Sequence, residues 1–280
     1  YANDNWLYIG IIVEDLDNPL LDDIMKERYR SNFDRNGLYF AKNDREIHWS
    51  EVNDIDTKNI CKRWLKYMIT TYKSEKKFYA YILGINNSKL NKTEFDDKNE
   101  FNSKYNRFFR SAVLYALKTF FPKTKVIVEK MYHEQGQQQN HKYFPWHSIY
   151  KIGRRDTNIH FKCDKITFLP KDHRKDRRSN IIQLCDLFLG VSTSILHGIK
   201  KSKRSIYREE LADTFLPMIQ KIVNEPYEEN GVYAHSNSIM VRFFPKEQSN
   251  ASDLRRFVNQ FYTKRRLYYA EQKLGQLSLF

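Results

Sequence analysis

The sequence predicts an α/β fold with a helical C-terminal appendage, and three observations carry that reading. Two short apolar runs read as strands: 6–13 (WLYIGIIV), a buried one, and 78–85 (FYAYILGI). Residues 102–121 repeat apolar side chains with the 3.6-residue period of a helix. Strand-like and helix-like segments then alternate along the 280 residues, a pattern that builds layers of sheet and helix.

The elements follow in order. After the strand at 6–13, Asn18-Pro19 opens a helix to about Phe33, with Asp22 and Asp23 in its first turn serving the helix dipole. Residues 55–72 place Ile60, Trp64, Leu65, Met68 and Tyr72 on one helical face. The strand at 78–85 is followed by a polar loop, 86–100. The helix at 102–121 carries Tyr105, Phe108, Phe109, Ala112, Val113, Ala116, Leu117 and Phe120 on its apolar stripe, and Pro122 ends it. Residues 125–128 read as a short buried strand ending at Glu129, and 159–161 and 165–169 as two more. A charged loop, 171–178 (KDHRKDRR), precedes an apolar helix over 180–191. Helices at 207–223 and 252–273, with a strand at 239–244 between them, complete the chain.

Composition narrows the function. A hydrophobic fraction of 41% and an aromatic fraction of 15% support a packed core. Lysine and arginine outnumber the acids 48 to 34, and the resulting +14 favours a polyanionic partner. Three dispersed cysteines, Cys61, Cys163 and Cys185, form neither a zinc spacing nor a disulfide framework, which fits a reducing cytoplasm. No segment reads as a membrane span or signal peptide. There is no glycine-rich phosphate loop and no Gly-x-Ser-x-Gly elbow. His133-Glu134-Gln135 lacks the second histidine of a zinc-protease helix.

Asp186 lies in the most apolar stretch of the chain. An unpaired ionised carboxylate buried there would cost several kcal/mol, so it needs a cation, a donor network or a solvent-filled site. The alternative is a wet edge of the helix. Glu129 at a strand end and Glu46 in Arg45-Glu46-Ile47-His48-Trp49 are further candidates, because converging carboxylates hold Mg²⁺ or Mn²⁺ for phosphoryl chemistry. The structural alternatives are a strand-terminal salt bridge for Glu129 and a surface position for Glu46. His173 reads as a solvated loop histidine, with phosphate contact or proton transfer as the functional alternative.

Glu46-Ile47-His48-Trp49, Glu129 after its strand, and Ile182-Gln183-Leu184-Cys185-Asp186-Leu187-Phe188-Leu189-Gly190 resemble, in that order, the bacterial family of domain of unknown function 3800. The resemblance implies a ribonuclease H-like mixed sheet flanked by helices over 1–200, followed by a mainly helical region, 201–275. It would make Glu46, Glu129 and Asp186 catalytic residues and ligands of two Mg²⁺ or Mn²⁺ ions, with Gln183 and His48 as supporting groups. The family's opening Asp-Glu-Ser-Gly-like strand should precede 6–13 and is absent here. Either that segment is missing from this chain or a principal ligand has been lost.

The final residues, Gln276, Leu277, Ser278, Leu279 and Phe280, resemble the pentapeptide with which bacterial replication and repair proteins bind the β sliding clamp. Leu277, Leu279 and Phe280 would be apolar anchors in a preformed groove, with Gln276 adding hydrogen bonds. Arg154, Arg155, Lys171, Arg174, Lys175, Arg177 and Arg178 are candidate nucleic-acid contacts, joined by basic clusters at 200–204 and 264–266. The expectation is a cytoplasmic, nucleoid-associated bacterial nuclease acting on DNA, with RNA and hybrid substrates undistinguished. A catalytically inactive, clamp-associated nucleic-acid-binding module is the alternative.

Overall fold

A computed structural model describes residues 5–17, 20–33, 44–74, 78–91, 100–140, 144, 149, 157–198, 206–224 and 238–244. The fold is α/β. Its helices are α1 (Leu20–Tyr29), α2 (Ile55–Ser74), α3 (Glu100–Phe120), α4 (Ser179–His197) and α5 (Ile206–Asn224). Its strands are β1 (Trp6–Glu14), β2 (Phe78–Asn86), β3 (Val126–Val128), β4 (Tyr132–Glu134), β5 (Ile159–Phe161), β6 (Thr167–Leu169) and β7 (Ile239–Phe244).

β2 is the centre of a three-stranded sheet, antiparallel to β1 and parallel to β7. Its near-continuous apolar run is explained by burial on both faces. Phe78, Ala80 and Ile82 face a core built with α1, α2, α4 and α5, including Trp64, Phe188 and Phe215. Tyr81, Leu83 and Ile85 face the other way, onto Phe109, Ala112, Val113 and Phe120 of α3. The alternation is the period-2 signature of a pleated strand. β3 pairs with β5 and β4 with β6, each as a separate parallel two-stranded sheet.

The helix stripes read from sequence face the core: Trp64, Leu65 and Met68 of α2 and Ala112 and Ala116 of α3 are fully enclosed. Asp54 caps α2, accepting the Thr57 N–H at 2.8 Å and the Thr57 hydroxyl at 2.8 Å. Gly198, at φ +84°, ends α4 in a conformation that glycine takes without strain. Residues 18–19, 252–273 and 276–280, with the readings placed on them, lie outside the described residues.

Three expectations change. β3 is not a buried strand: Ile127 is 46% exposed. The described part of 201–275 is no appendage, because α5 packs into the core with α2 and α4 while β7 extends the main sheet. Among the described residues one helix, α4, is long and apolar enough to cross a membrane by length and composition alone. Yet 67% of that stretch is buried inside the protein, as in a core helix.

Candidate functional site

Residues 44–52 form the keystone of the site, lying between α1 and α4. Arg28 of α1 donates from Nε to Asp44 Oδ1 at 2.9 Å and from Nη2 at 2.5 Å. It also reaches the Arg45 carbonyl, Asn180 Oδ1 and Gln183 Oε1. The other Asp44 oxygen accepts from the Tyr29 hydroxyl and from His173 Nε2, each at 2.8 Å. The Arg28 and His173 side chains are fully enclosed, so every charge here is desolvated and must be matched. Burial alone would raise the Asp44 carboxyl. The hydrogen bond from His173 and the Arg28 charge outweigh it and hold Asp44 down at about 2. His173 is therefore a buried structural donor, not a solvated loop residue.

Gln183 joins this network to the site. Its Oε1 accepts the Ile47 N–H at 3.1 Å, and its Nε2 donates to the Lys171 carbonyl at 3.0 Å and to His173 Nδ1 at 3.4 Å. The pattern puts the His173 proton on Nε2, facing Asp44. One amide thus fixes the segment bearing Glu46 and His48 and also the loop bearing Lys171.

Asp186 follows one turn along α4. Its Oδ2 accepts the Trp49 N–H at 2.8 Å and lies 3.6 Å from His48 Nδ1. Glu46 Oε2 is 3.7 Å from His48 Nε2. The Asp186 side chain is 41% exposed, which puts it on the wet edge of its helix rather than in the core. Gly190, a turn further on, makes room for Trp49: a Cβ there would fall 2.1 Å from Trp49 Cγ. The Asp186 carboxylate pulls the His48 imidazole above its ordinary range against the opposing effect of burial, and Glu134 adds to the pull.

Sequence reasoning paired Asp186 with Glu129. Glu129 instead forms a half-exposed ion pair with Lys162 at 2.5 Å, the salt-bridge alternative named above. The carboxylate whose field reaches His48 is Glu134, at the end of β4. It is 3.0 Å from Lys171 Nζ. Contact with Glu134 first, then the charges of Glu46 and Asp186, raise the Lys171 amine. Glu134 stood in the sequence beside His133, but a polar Tyr-His-Glu strand offers no apolar run to mark it.

The basic loop is largely self-neutralised. Arg174 pairs with Asp172 at 2.8 Å. Arg178 pairs with Asp176 at 2.5 Å and stacks over Tyr132 at 5.0 Å. Arg177 acts electrostatically on Tyr29, and Lys175 is exposed. Arg154, Arg155 and the clusters at 200–204 and 264–266 lie outside the described residues. Burial pushes the Cys61 and Cys185 thiols up to about 12, so neither is a thiolate nucleophile at neutral pH.

Among the described residues no group of three or more His, Cys, Asp or Glu side chains has the spacing of a metal centre. The donor chemistry nevertheless fits a hard dication. Glu46 and Asp186 flank one imidazole, both are partly exposed, and among the described residues the hydrogen bond to Asp186 falls on Oδ2. Mg²⁺ is commonly held by one or two carboxylates, with water and substrate phosphate completing its shell. Compared with known proteins, the chain matches no family model, no curated protein and no solved structure.

Proposed function

We propose that this protein is a Mg²⁺- or Mn²⁺-dependent phosphodiester hydrolase acting on nucleic acid, built on a ribonuclease H-like frame. One observation carries the reading. Trp49 and Gln183 dock the 44–52 segment on α4, so that Glu46, His48 and Asp186 meet at a half-exposed edge beside Lys171. The chain's surplus of +14 suits a polyanionic substrate. Glu46 and Asp186 would hold the ion, and Gln183 fixes the backbone on which Glu46 stands. A bound dication supplies water activation and stabilisation of the leaving oxygen. Binding of 276–280 to the β sliding clamp would concentrate the protein on replicating or repaired DNA.

The test is hydrolysis of single-stranded, double-stranded and hybrid substrates by the full chain with Mg²⁺ or Mn²⁺. Wild type cleaves at least one of them, and Glu46→Gln and Asp186→Asn fall to background. Identical rates for wild type and Asp186→Asn would refute the catalytic assignment. For recruitment, Leu279→Ala combined with Phe280→Ala abolishes binding to the clamp.

A second reading is a non-catalytic nucleic-acid-binding module. It is favoured by the ion pairs that Glu46 and Asp186 already make with His48. It predicts binding without cleavage under either ion, unchanged by Asp186→Asn.

A further inference from the structure

We propose that Lys171 is the substrate-phosphate contact of this site and that Glu134 holds its ammonium when no substrate is bound. The inference rests on the reading of nucleic acid as the substrate.

Lys171 combines a fixed base with a free head. Its carbonyl is held by Gln183 Nε2 at 3.0 Å, and two residues later His173 is locked to Asp44. Its ammonium, in contrast, meets Glu134 Oε1 in an ion pair without hydrogen-bond geometry; that oxygen is shielded from solvent, while the Lys171 side chain is 55% exposed and that of Glu134 35%. Such pairs are weakly held. A four-carbon stem with three rotatable donors can exchange one anionic oxygen for another with little rearrangement.

The partner choice separates Lys171 from its neighbours. Arg174 and Arg178 are bound by acids two residues away in their own loop. Lys171 pairs with a residue of β4, and its amine also lies in the field of Glu46 and Asp186. It is therefore near enough to the carboxylates that would hold the ion for their charges to act on it. A phosphodiester brought to Glu46, Glu134 and Asp186 meets three negative side chains. Transfer of the Lys171 ammonium from Glu134 to a non-bridging phosphate oxygen offsets part of that repulsion. No bond is made or broken in the exchange. The contact is to the backbone of the nucleic acid and is independent of its sequence.

The experiment is fluorescence anisotropy of a labelled single-stranded oligonucleotide with full-length protein. Titrations run across a salt series, in EDTA and in Mg²⁺, with wild type, Lys171→Ala, Glu134→Gln and the double variant. Thermal melts accompany each protein. Lys171→Ala weakens binding and lowers the salt slope by about 0.7, the value of one single-strand phosphate contact, with its melting unchanged. Glu134→Gln tightens binding more in the wild-type background than in the Lys171→Ala background, where only relief of its own repulsion remains. If Glu134→Gln tightens binding equally in both backgrounds, the effect is general charge and the inference is wrong. If wild type binds but Lys171→Ala keeps the wild-type slope, the phosphate contact is overturned while the functional reading stands. If wild type binds no oligonucleotide under any condition, the functional reading fails and takes the inference with it.

Discussion

Trp49 donates its backbone N–H to Asp186 Oδ2 at 2.8 Å, across 137 residues of sequence. The same tryptophan packs against Gly190, one turn further along the helix. The stretch around Asp186 therefore does two things at once. It docks a distant segment through Asp186 Oδ2, and it leaves the carboxylate partly exposed.

Gly190→Ala tests the packing. Its Cβ would overlap the Trp49 ring and Cβ, so the 44–52 segment must shift. The expected loss is about 1–3 kcal/mol, read from urea unfolding. Combined with Trp49→Ala, the cost is smaller than the sum of the two single changes, because removing the ring makes room for the methyl. Wild-type stability in Gly190→Ala would contradict the close approach.

Gln183→Leu keeps the approximate volume and removes four hydrogen bonds. It leaves the Ile47 N–H and the Lys171 carbonyl without their partner inside the protein. A destabilisation of about 2–4 kcal/mol is expected from those two groups. Chemical denaturation measures it, and a change under 0.5 kcal/mol, roughly the size of a neutral surface substitution, would show that the staple is dispensable.

Asp44 gives the fold an acid limit. Its folded-state value of about 2 lies below the ordinary carboxyl value. A depressed carboxyl contributes stability that is present above its unfolded value and lost as pH falls through the folded one. The contribution is about 2 kcal/mol from the size of the shift. Unfolding free energies measured from pH 5 down to pH 2 should fall in wild type. In Asp44→Asn that component of the pH dependence should disappear.

His48 has the opposite sign. Its value is raised by Asp186, so it contributes stability that is complete below its unfolded value and lost as pH rises through the higher folded one. In metal-free protein, the His48 ring resonance should titrate above the ordinary histidine midpoint. Asp186→Asn should move that midpoint down. An unchanged midpoint would mean that the carboxylate does not act on the imidazole.

Much of the fold was legible because periodicity is local. The stripe of α3 needed only its own residues, and the apolar run of β2 marked a strand, whose burial on both faces the structure adds. The site was legible in part. Asp186 was marked by a charge in an apolar helix, and Glu46 by its place just ahead of a helix. Glu129 was chosen over Glu134 because an apolar Val-Ile-Val triplet resembles a buried strand, whereas the structure leaves Ile127 half exposed. The Arg28–Asp44–His173 network was invisible for a different reason. Each member is a polar residue in a polar stretch, and their pairing exists only once α1, the 44–52 segment and the 171–178 loop have come together.

That network has a consequence for how the protein breathes. Lifting residues 44–52 away from α1 would leave the enclosed Arg28 guanidinium without its carboxylate and His173 without its acceptor. Partial opening of this region is therefore disfavoured relative to unfolding of the whole core. The Ile47 and Trp49 amides should exchange with deuterium as slowly as those of β2. Glu46 and His48 then belong to the slowest-opening unit of the molecule, although their side chains reach solvent.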